Sequence, residues 1–386
     1  MRTAKVALIP CESYDSETVY RAVRTGLNLL GGISAFIAAE ESILLKPNLL
    51  GKAPPHKAVT THPAVFSAVA RILHEEGYSN VAYGDSPGNP AATPEIAAVT
   101  SGLKEAAQAY GVPLADFNSG SIVHYPKGRR CRSFFLCSGV QQTQAIINLP
   151  KMKTHALERI TGAVKNLYGC IWGVNKAAGH AHYPNSDSFA EMLGDLLQCV
   201  QPRLHILDGI TAMEGNGPTS GTPVDMKLIL ISADPVALDS LFARLVYLNP
   251  ADVPTCKKLA EAGIGEMEHI AVLTPDGEIS VDEAVQRYGK PDFDVFRGSL
   301  NKSLLAKFLP LLPFLQERPK VDLKKCISCG LCEEACPVPG KAVHSGKGVK
   351  AKYNYRKCIR CYCCQEMCPA KAIEVYRSPL NRLLGR

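Results

Sequence analysis

The chain has 386 residues, 46% hydrophobic and 20% charged, with 31 Gly, 27 Pro and a formal net charge of +7. Together with a mean hydropathy of −0.01, this is the composition of a soluble globular protein, and it excludes disordered, collagen-like and coiled-coil chains. At about 100–200 residues per domain, the length suits two or three domains.

The first residues enter an apolar, strand-like stretch and lack the charged, hydrophobic, small order of a secretory signal, so a cytoplasmic protein is expected. Short apolar runs then alternate with longer amphipathic ones. In chain order the pattern predicts a strand at 6–10, a helix at 17–30, a strand at 42–45, a helix at 63–76, a strand at 80–83 and a helix at 94–110. It continues with a strand at 145–149, a helix at 188–200, strands at 204–207 and 227–232, helices at 235–248 and 254–262, a strand at 269–273 and a helix at 281–288. Helix ends are marked by Pro after a polar residue, as at His62-Pro63 and Asp234-Pro235, or by a following Gly, as at Tyr288-Gly289. The alternation predicts an α/β domain over 1–291, with a mainly parallel sheet and helices on both faces. Residues 292–319 read as a linker. Its apolar piece at 303–315, interrupted by Lys307, Pro310 and Pro313, is expected to pack as a short broken helix and falls short of the roughly 18 apolar residues of a membrane span.

Residues 320–386 read as a small α+β ferredoxin-like domain. Of 15 Cys, nine follow residue 325, a clustering that points to metal in a reducing compartment rather than to disulfides. The run Lys325-Cys326-Ile-Ser-Cys329-Gly-Leu-Cys332-Glu-Glu-Ala-Cys336-Pro337 aligns with Lys357-Cys358-Ile-Arg-Cys361-Tyr-Cys-Cys364-Gln-Glu-Met-Cys368-Pro369. Each copy is C-x2-C-x2-C-x3-C-P, in which three thiolates hold one cube and the fourth ligates the other. The spacing assigns Cys326, Cys329, Cys332 and Cys368 to one [4Fe–4S] cluster and Cys358, Cys361, Cys364 and Cys336 to the second. Cys363 aligns with Leu331 and is expected to be a packed or partly exposed thiol rather than a ligand.

From Lys320 onward there are 14 Lys or Arg against 5 Asp or Glu, so the whole basic excess lies in this domain. An acidic redox partner protein is expected. Nucleic acid is disfavoured, because Tyr353, Tyr355 and Tyr362 lie among basic residues without a recognition motif.

In open α/β sheets ligands bind beyond the carboxyl ends of the strands. Those positions hold Lys46 and Asn48, Asp85, then Lys151, Lys153 and His155, and finally Asp208, Glu214 and Asn216. Residues 151–182 carry four Lys, Arg159 and three His against a single acid, Glu158. Gly162, Gly169, Gly173 and Gly179 in that segment are expected to let a ligand approach the backbone. With Lys165, Asn166, His180 and His182, the segment predicts a site for an anionic small molecule or cofactor in which unneutralised cations repel until a multiply charged anion binds. The His residues read as anion contacts rather than as a metal trio. Neither G-x-x-x-x-G-K-[ST] nor a strand-linked G-x-G-x-x-G occurs.

Cys11-Glu-Ser-Tyr-Asp, Lys46-Pro-Asn-Leu-Leu, Thr61-His-Pro, Gly84-Asp-Ser-Pro-Gly, the stretch from Asn148 to His155, Thr161-Gly-Ala-Val-Lys-Asn, the stretch from Asp208 to Pro218 and Asp234-Pro-Val-Ala-Leu-Asp together resemble the "domain of unknown function 362" family. The resemblance implies the candidate positions above and a C-terminal ferredoxin module of the kind many members carry, largely in anaerobes and archaea. It implies no activity. The expected function is a cytoplasmic iron–sulfur electron-transfer protein or reductase acting on an anionic substrate, cofactor or partner; the alternative is a redox-sensing binding or maturation protein.

Overall fold

The computed structural model describes residues 3–88, 92–173, 175–298 and 317–378; the apolar stretch 303–315 lies outside the described residues. In the N-terminal domain the strands are β1 (Ala4–Pro10), β2 (Ile43–Pro47), β3 (Val81–Tyr83), β4 (Gly120–His124), β5 (Ser133–Cys137), β6 (Ala145–Leu149), β7 (Lys151–His155), β8 (Arg159–Thr161), β9 (Leu204–Glu214), β10 (Thr222–Ser232), β11 (Ile270–Thr274) and β12 (Gly277–Ile279). The sheet order is β12-β11-β1-β10-β9-β6-β2-β3, with β7 beside β9 and β8 beside β7.

The sheet is α/β and mixed. β2 runs parallel to β3 and β6, β6 and β7 parallel to β9, and β1 parallel to β11. β9 and β10 instead form a long hairpin, so β10 is antiparallel to β9 and β1. A connection of only seven residues, 215–221, cannot return a strand in parallel.

Side chains alternate across the sheet with the period of two that strands impose. Ala7, Ile9, Ile43, Leu45, Ile147 and Leu149 enter one core. Val6 and Leu8 enter a second, and Leu44 and Ile146 a third on that same opposite face.

The helices are α1 (Ser16–Leu29), α2 (Pro63–Glu75), α3 (Pro94–Thr100), α4 (Leu103–Gln108), α5 (Ser138–Gln141), α6 (Ala163–Asn166), α7 (Asn175–His182), α8 (Ser186–Val200), α9 (Pro235–Leu245), α10 (Pro254–Glu261) and α11 (Val281–Tyr288). α1, α2 and α4 cover the first core, and α8–α11 the other face. In α2, Val65, Val69, Ile72 and Leu73 fall on one stripe and are buried, each contributing about 1.5–3 kcal/mol. α9 starts where Asp234 accepts from the N–H groups of Val236 and Ala237, with Pro235 at its first position. The helix expected over 94–110 breaks into α3 and α4 at Gly102, which has φ +75°.

In the C-terminal domain β13 (Arg318–Val321) pairs antiparallel with β16 (Ile373–Tyr376), and β14 (Val343–Gly346) with β15 (Val349–Tyr353). Two short helices, α12 (Leu331–Glu334) and α13 (Cys363–Glu366), follow equivalent points of the two cysteine runs. β13 begins within the stretch expected to be a linker. At that stretch's other end Phe293 and Val295 are buried in the second core.

Candidate functional site

Pairing of β2 with both β3 and β6 brings the loops after these strands together. Lys46 Nζ lies 2.8 Å from Asp85 Oδ1, both fully or nearly fully buried. The other carboxylate oxygen of Asp85 accepts from Leu49 N at 2.7 Å. Removing either partner would strand a buried charge, a loss of about 3–5 kcal/mol.

Gly169 makes this pair possible: a Cβ there would lie 1.8 Å from Asp85 Oδ1 and 2.8 Å from Lys46 Nζ. Gly162 and Gly179 likewise make room for the Asp239 carboxylate and the Tyr168 hydroxyl. These glycines therefore accommodate the protein's own side chains. Gly169 and Gly173 also line the cavity described below, and the expectation that these glycines open the backbone to a ligand is corrected for Gly162 and Gly179, which do not.

Behind the ion pair runs a chain of amides. Asn48 Nδ2 donates to Asn166 Oδ1 at 2.8 Å, and Asn166 Nδ2 to Asn148 Oδ1 at 2.7 Å. Asn148 Nδ2 donates to Ala163 O at 2.8 Å and sits 2.9 Å from His205 Nδ1. Lys153 donates to Asn48 Oδ1 (2.9 Å) and Val59 O (2.7 Å), and burial lowers its ammonium to about 7. Contrary to expectation, Lys46 and Lys153 are not naked cations, since each has hydrogen-bond partners, yet Lys165 and Lys151 still repel Lys153 and add to the effect of burial.

Lys151 and Asp208 form a separate unit. Lys151 Nζ lies 2.7 Å from Asp208 Oδ2 and 2.7 Å from the Tyr14 hydroxyl. Tyr14 donates to Asp208 Oδ1, His62 N to Oδ2, and the Tyr14 and His62 rings stack at 3.5 Å. Neither Lys151 nor Asp208 lines the cavity. Their work is to tie β9 to the loops of β1 and β2.

That cavity, of about 490 Å³, opens between the strand-end loops, α6–α7 and the C-terminal domain. It brings together Asn48, Asp85, Lys153, His155, Lys165, Asn166 and His180 from the expected set. Lys176, Tyr168, Trp172 and Phe117 also line it. Lys176 donates to the carbonyls of Ser86 (2.7 Å) and Pro87 (3.1 Å), and burial lowers it to about 8. His155 Nδ1 accepts from Leu157 N and Glu158 N, which places its proton on Nε2, 3.2 Å from Glu366 Oε1. Burial alone would raise the Glu366 carboxyl, but His155, Lys165 and His180 outweigh it and hold it at about 2. Glu158 is fully buried with both oxygens lacking a hydrogen-bond partner among the described residues, and burial raises it to about 8 against the opposing pull of Lys165.

Besides Lys151 and Asp208, three more expected ligand contacts lie elsewhere. His182 is exposed, its Nδ1 2.8 Å from Ala178 O. Glu214 accepts from Asp294 N at 2.8 Å. Asn216 is a fastener between domains: its Nδ2 donates to Ile373 O, and its Oδ1 accepts from Gln365 Nε2, both at 3.0 Å. Gln365 Nε2 also reaches Asn216 O and Gly217 O, and Thr219 donates to Glu366 O. Through these bonds α13 closes one wall of the cavity with Cys363, Glu366 and Met367. Cys363 lies off both tetrads as expected, but it faces the cavity.

The ferredoxin-like domain encloses two further cavities. Cys326, Cys329, Cys332 and Cys368 line one; Cys336, Cys358, Cys361 and Cys364 line the other. Each tetrad borrows its fourth thiol from the other half of the repeat. Backbone N–H groups of Ala342 and Ala372 donate to Cys336 Sγ and Cys368 Sγ, both at 3.3 Å, and Tyr353 OH to Cys364 Sγ at 3.2 Å. Four thiols around a void, met by N–H and O–H donors, suit an iron–sulfur cluster.

Fold and site define an α/β protein whose strand-end cavity is walled by an iron–sulfur module. The chain belongs to the Domain of unknown function (DUF362) family, whose model matches residues 43–244. Residues 318–369 match the 4Fe-4S dicluster domain. A relative is the thylakoid-associated protein sll1697 of Synechocystis sp., 35% identical over 260 residues that cover 67% of this chain and 79% of that protein. Among solved structures, the lactate racemase apoprotein from Thermoanaerobacterium thermosaccharolyticum is 11% identical with a TM-score of 0.41, over 60% of this chain and 55% of that one. Among the described residues no helix is long and apolar enough to cross a membrane.

Proposed function

We propose that this protein is an iron–sulfur oxidoreductase in which two [4Fe–4S] cubes carry electrons between an acidic partner protein and an anionic small molecule in the strand-end cavity. When bound, the cubes supply one-electron steps. The observation that carries this reading is helix α13. Cys364 belongs to the inner tetrad, and its chain neighbour Cys363 lines the cavity with Glu366. One turn of helix separates the inner cluster from whatever the cavity holds.

The other end of the route is the outer tetrad. Cys329 is exposed, and around it Leu323, Ile327 and Val349 are 55%, 63% and 59% exposed. Lys324, Lys347 and Lys350 are exposed on the same segments. An apolar centre within a basic rim suits a transient complex with an acidic one-electron carrier. A reducing cytoplasm, which keeps cluster thiols available, completes the proposal.

Protein purified without oxygen should oxidise reduced methyl viologen continuously when given the small-molecule fraction of cell extract. Cys361→Ala, which breaks the inner tetrad, should abolish this. Turnover that survives the loss of the inner cluster would sink the relay. A ligand whose affinity follows cluster redox state without net viologen oxidation would point instead to a redox-sensing binding protein.

A further inference from the structure

Among the described residues, most cations around the cavity are held by ion pairs or hydrogen bonds within the protein, and Lys165 makes neither. Lys46 is paired with Asp85, Lys153 is held by Asn48 and Val59, and Lys176 by Ser86 and Pro87. Lys165 has no hydrogen-bond acceptor among the described residues. Its Nζ lies 4.9 Å from the centre of the Tyr168 ring and 5.6 Å from that of Phe189.

The same two rings carry His180, stacked on Phe189 at 4.3 Å and edge-on to Tyr168 at 5.6 Å. His180 is buried, and its Nδ1 has no partner among the described residues. Burial lowers its pKa to about 3, so the ring is neutral at pH 7. An ammonium and an unsatisfied ring nitrogen thus share one aromatic shelf on the cavity wall. A buried polar atom left unpaired carries a desolvation cost that a ligand oxygen would remove.

The charge balance limits what that ligand can be. Lys46, Lys153, Lys165 and Lys176 stand against Asp85, Glu366 and the exposed Glu334 at the rim, an excess of one positive charge at most. Glu366 faces His155 and also acts on Lys165 and His180, so it offsets part of the positive field at the shelf and disfavours an anion of more than one charge. Much of the remaining wall is apolar, with Leu50, Pro87, Pro94, Phe117, Trp172 and Met367. A multiply charged inorganic ion would meet a single cation that lacks a hydrogen-bond acceptor among the described residues, beside a largely apolar wall.

We infer that the cavity takes a monocarboxylate with an apolar body of about ring size, its carboxylate between Lys165 and His180 and its body against Trp172 and Phe117. This rests on the cavity being the site of the proposed oxidoreductase. It is tested by binding to the oxidised protein, so failed electron transfer and failed recognition give different results.

Trp172 is the chain's single Trp, so its emission reports on the cavity. Oxidised protein carrying its clusters is titrated by calorimetry and Trp fluorescence with phenylacetate, with phenylethanol as the uncharged counterpart, and with inorganic phosphate. Phenylacetate should bind and change Trp172 emission, phenylethanol should bind about tenfold more weakly or worse, and phosphate should leave the emission unchanged. A tenfold change corresponds to about 1.4 kcal/mol, a modest demand on one desolvated charge pair. Lys165→Met should weaken phenylacetate about tenfold and leave phenylethanol as it was. His180→Phe, which preserves the ring stack, should weaken phenylacetate in the same direction. No phenylacetate binding, equal affinity for acid and alcohol, phosphate competing for the site, or an indifferent Lys165→Met would each overturn the assignment.

Discussion

The two cysteine tetrads arise from one repeated run and end in opposite surroundings. The outer one keeps Cys329 exposed beside Ile327. In the inner one Cys336, Cys361 and Cys364 are buried, and the neighbouring helix lines the strand-end cavity with Cys363 and Glu366, where the first run brings Glu334 and Ala335. Two aligned positions matter most. Where the first run has Leu331 and Glu333, the second has Cys363 and Gln365, while Glu334 and Glu366 are the same residue at equivalent places. Glu333 stays within its own domain, accepting from Ser345 N at 2.7 Å. Gln365 crosses to the other domain and donates to Asn216 and Gly217. The grouping of the thiols therefore follows from local spacing, which the repeats share, while the surroundings of each tetrad follow from the residues between its thiols.

The largest effect should come from Cys336→Ala. Because Cys336 crosses over, its loss should remove the cluster built on Cys358, Cys361 and Cys364 and lower iron from about eight to about four per chain. Iron analysis with electron paramagnetic resonance of the reduced protein decides it. Loss confined to the Cys326 side would overturn the crossed ligation. Next in size is Gln365→Glu, which turns the second run back toward the first. A carboxylate would then face the Asn216 and Gly217 carbonyls, losing the two N–H donors that those oxygens and Asn216 Oδ1 share in a buried site, a loss of about 2–3 kcal/mol. Thermal melting should fall while iron content holds. An unchanged melt would mean that the fastening lies elsewhere.

How far the sequence could be read follows the same division. The tetrads were legible because covalent spacing determines which thiols can share a cube. The strand-end loops were legible because parallel strands bring their carboxyl ends together, and Lys46, Asp85, Lys153 and His155 do meet at or around one cavity. β7 was missed: Lys-Met-Lys-Thr-His has no apolar alternation, yet every one of its residues is buried, because its polar groups are satisfied by partners far away in the chain. Pairing of lysines was equally invisible. Lys151 and Asp208 are 57 residues apart, and only the sheet register reveals that they neutralise each other rather than a ligand. Glu366 and Cys363 could not be assigned to the cavity from sequence, since their place there depends on how two domains dock. The excess of basic residues at 151–182 was the one available signal for Lys176.

A smaller effect should separate the clusters by their surroundings. If electrons enter at the outer tetrad, exchange with an acidic carrier such as a ferredoxin should slow about tenfold between low and high salt, as the Debye length falls from ~10 Å at 0.1 M to ~3 Å at 1 M. Ile327→Glu should slow the same exchange at low salt and leave iron content alone. A rate indifferent to both would remove the outer face as the entry point and leave the tetrads without a direction between them.

The smallest predicted effect probes the inner tetrad alone. The Tyr353 hydroxyl donates to Cys364 Sγ at 3.2 Å, and a donor to a ligating sulfur favours the more negative, reduced cluster. Tyr353 stacks on Tyr355 at 5.5 Å with ring planes 8° apart, so Tyr353→Phe should keep its place and lose only the donated bond. The inner potential should fall by on the order of tens of millivolts, since 59 mV corresponds to about 1.4 kcal/mol for one electron and a single bond differing between two charge states is worth less than that. The outer potential should stay where it is. A redox titration followed by electron paramagnetic resonance resolves the two couples. A shift shared equally by both would mean that they respond to one common field, and the contrast between an inner and an outer cluster would then rest on geometry without an electrostatic counterpart.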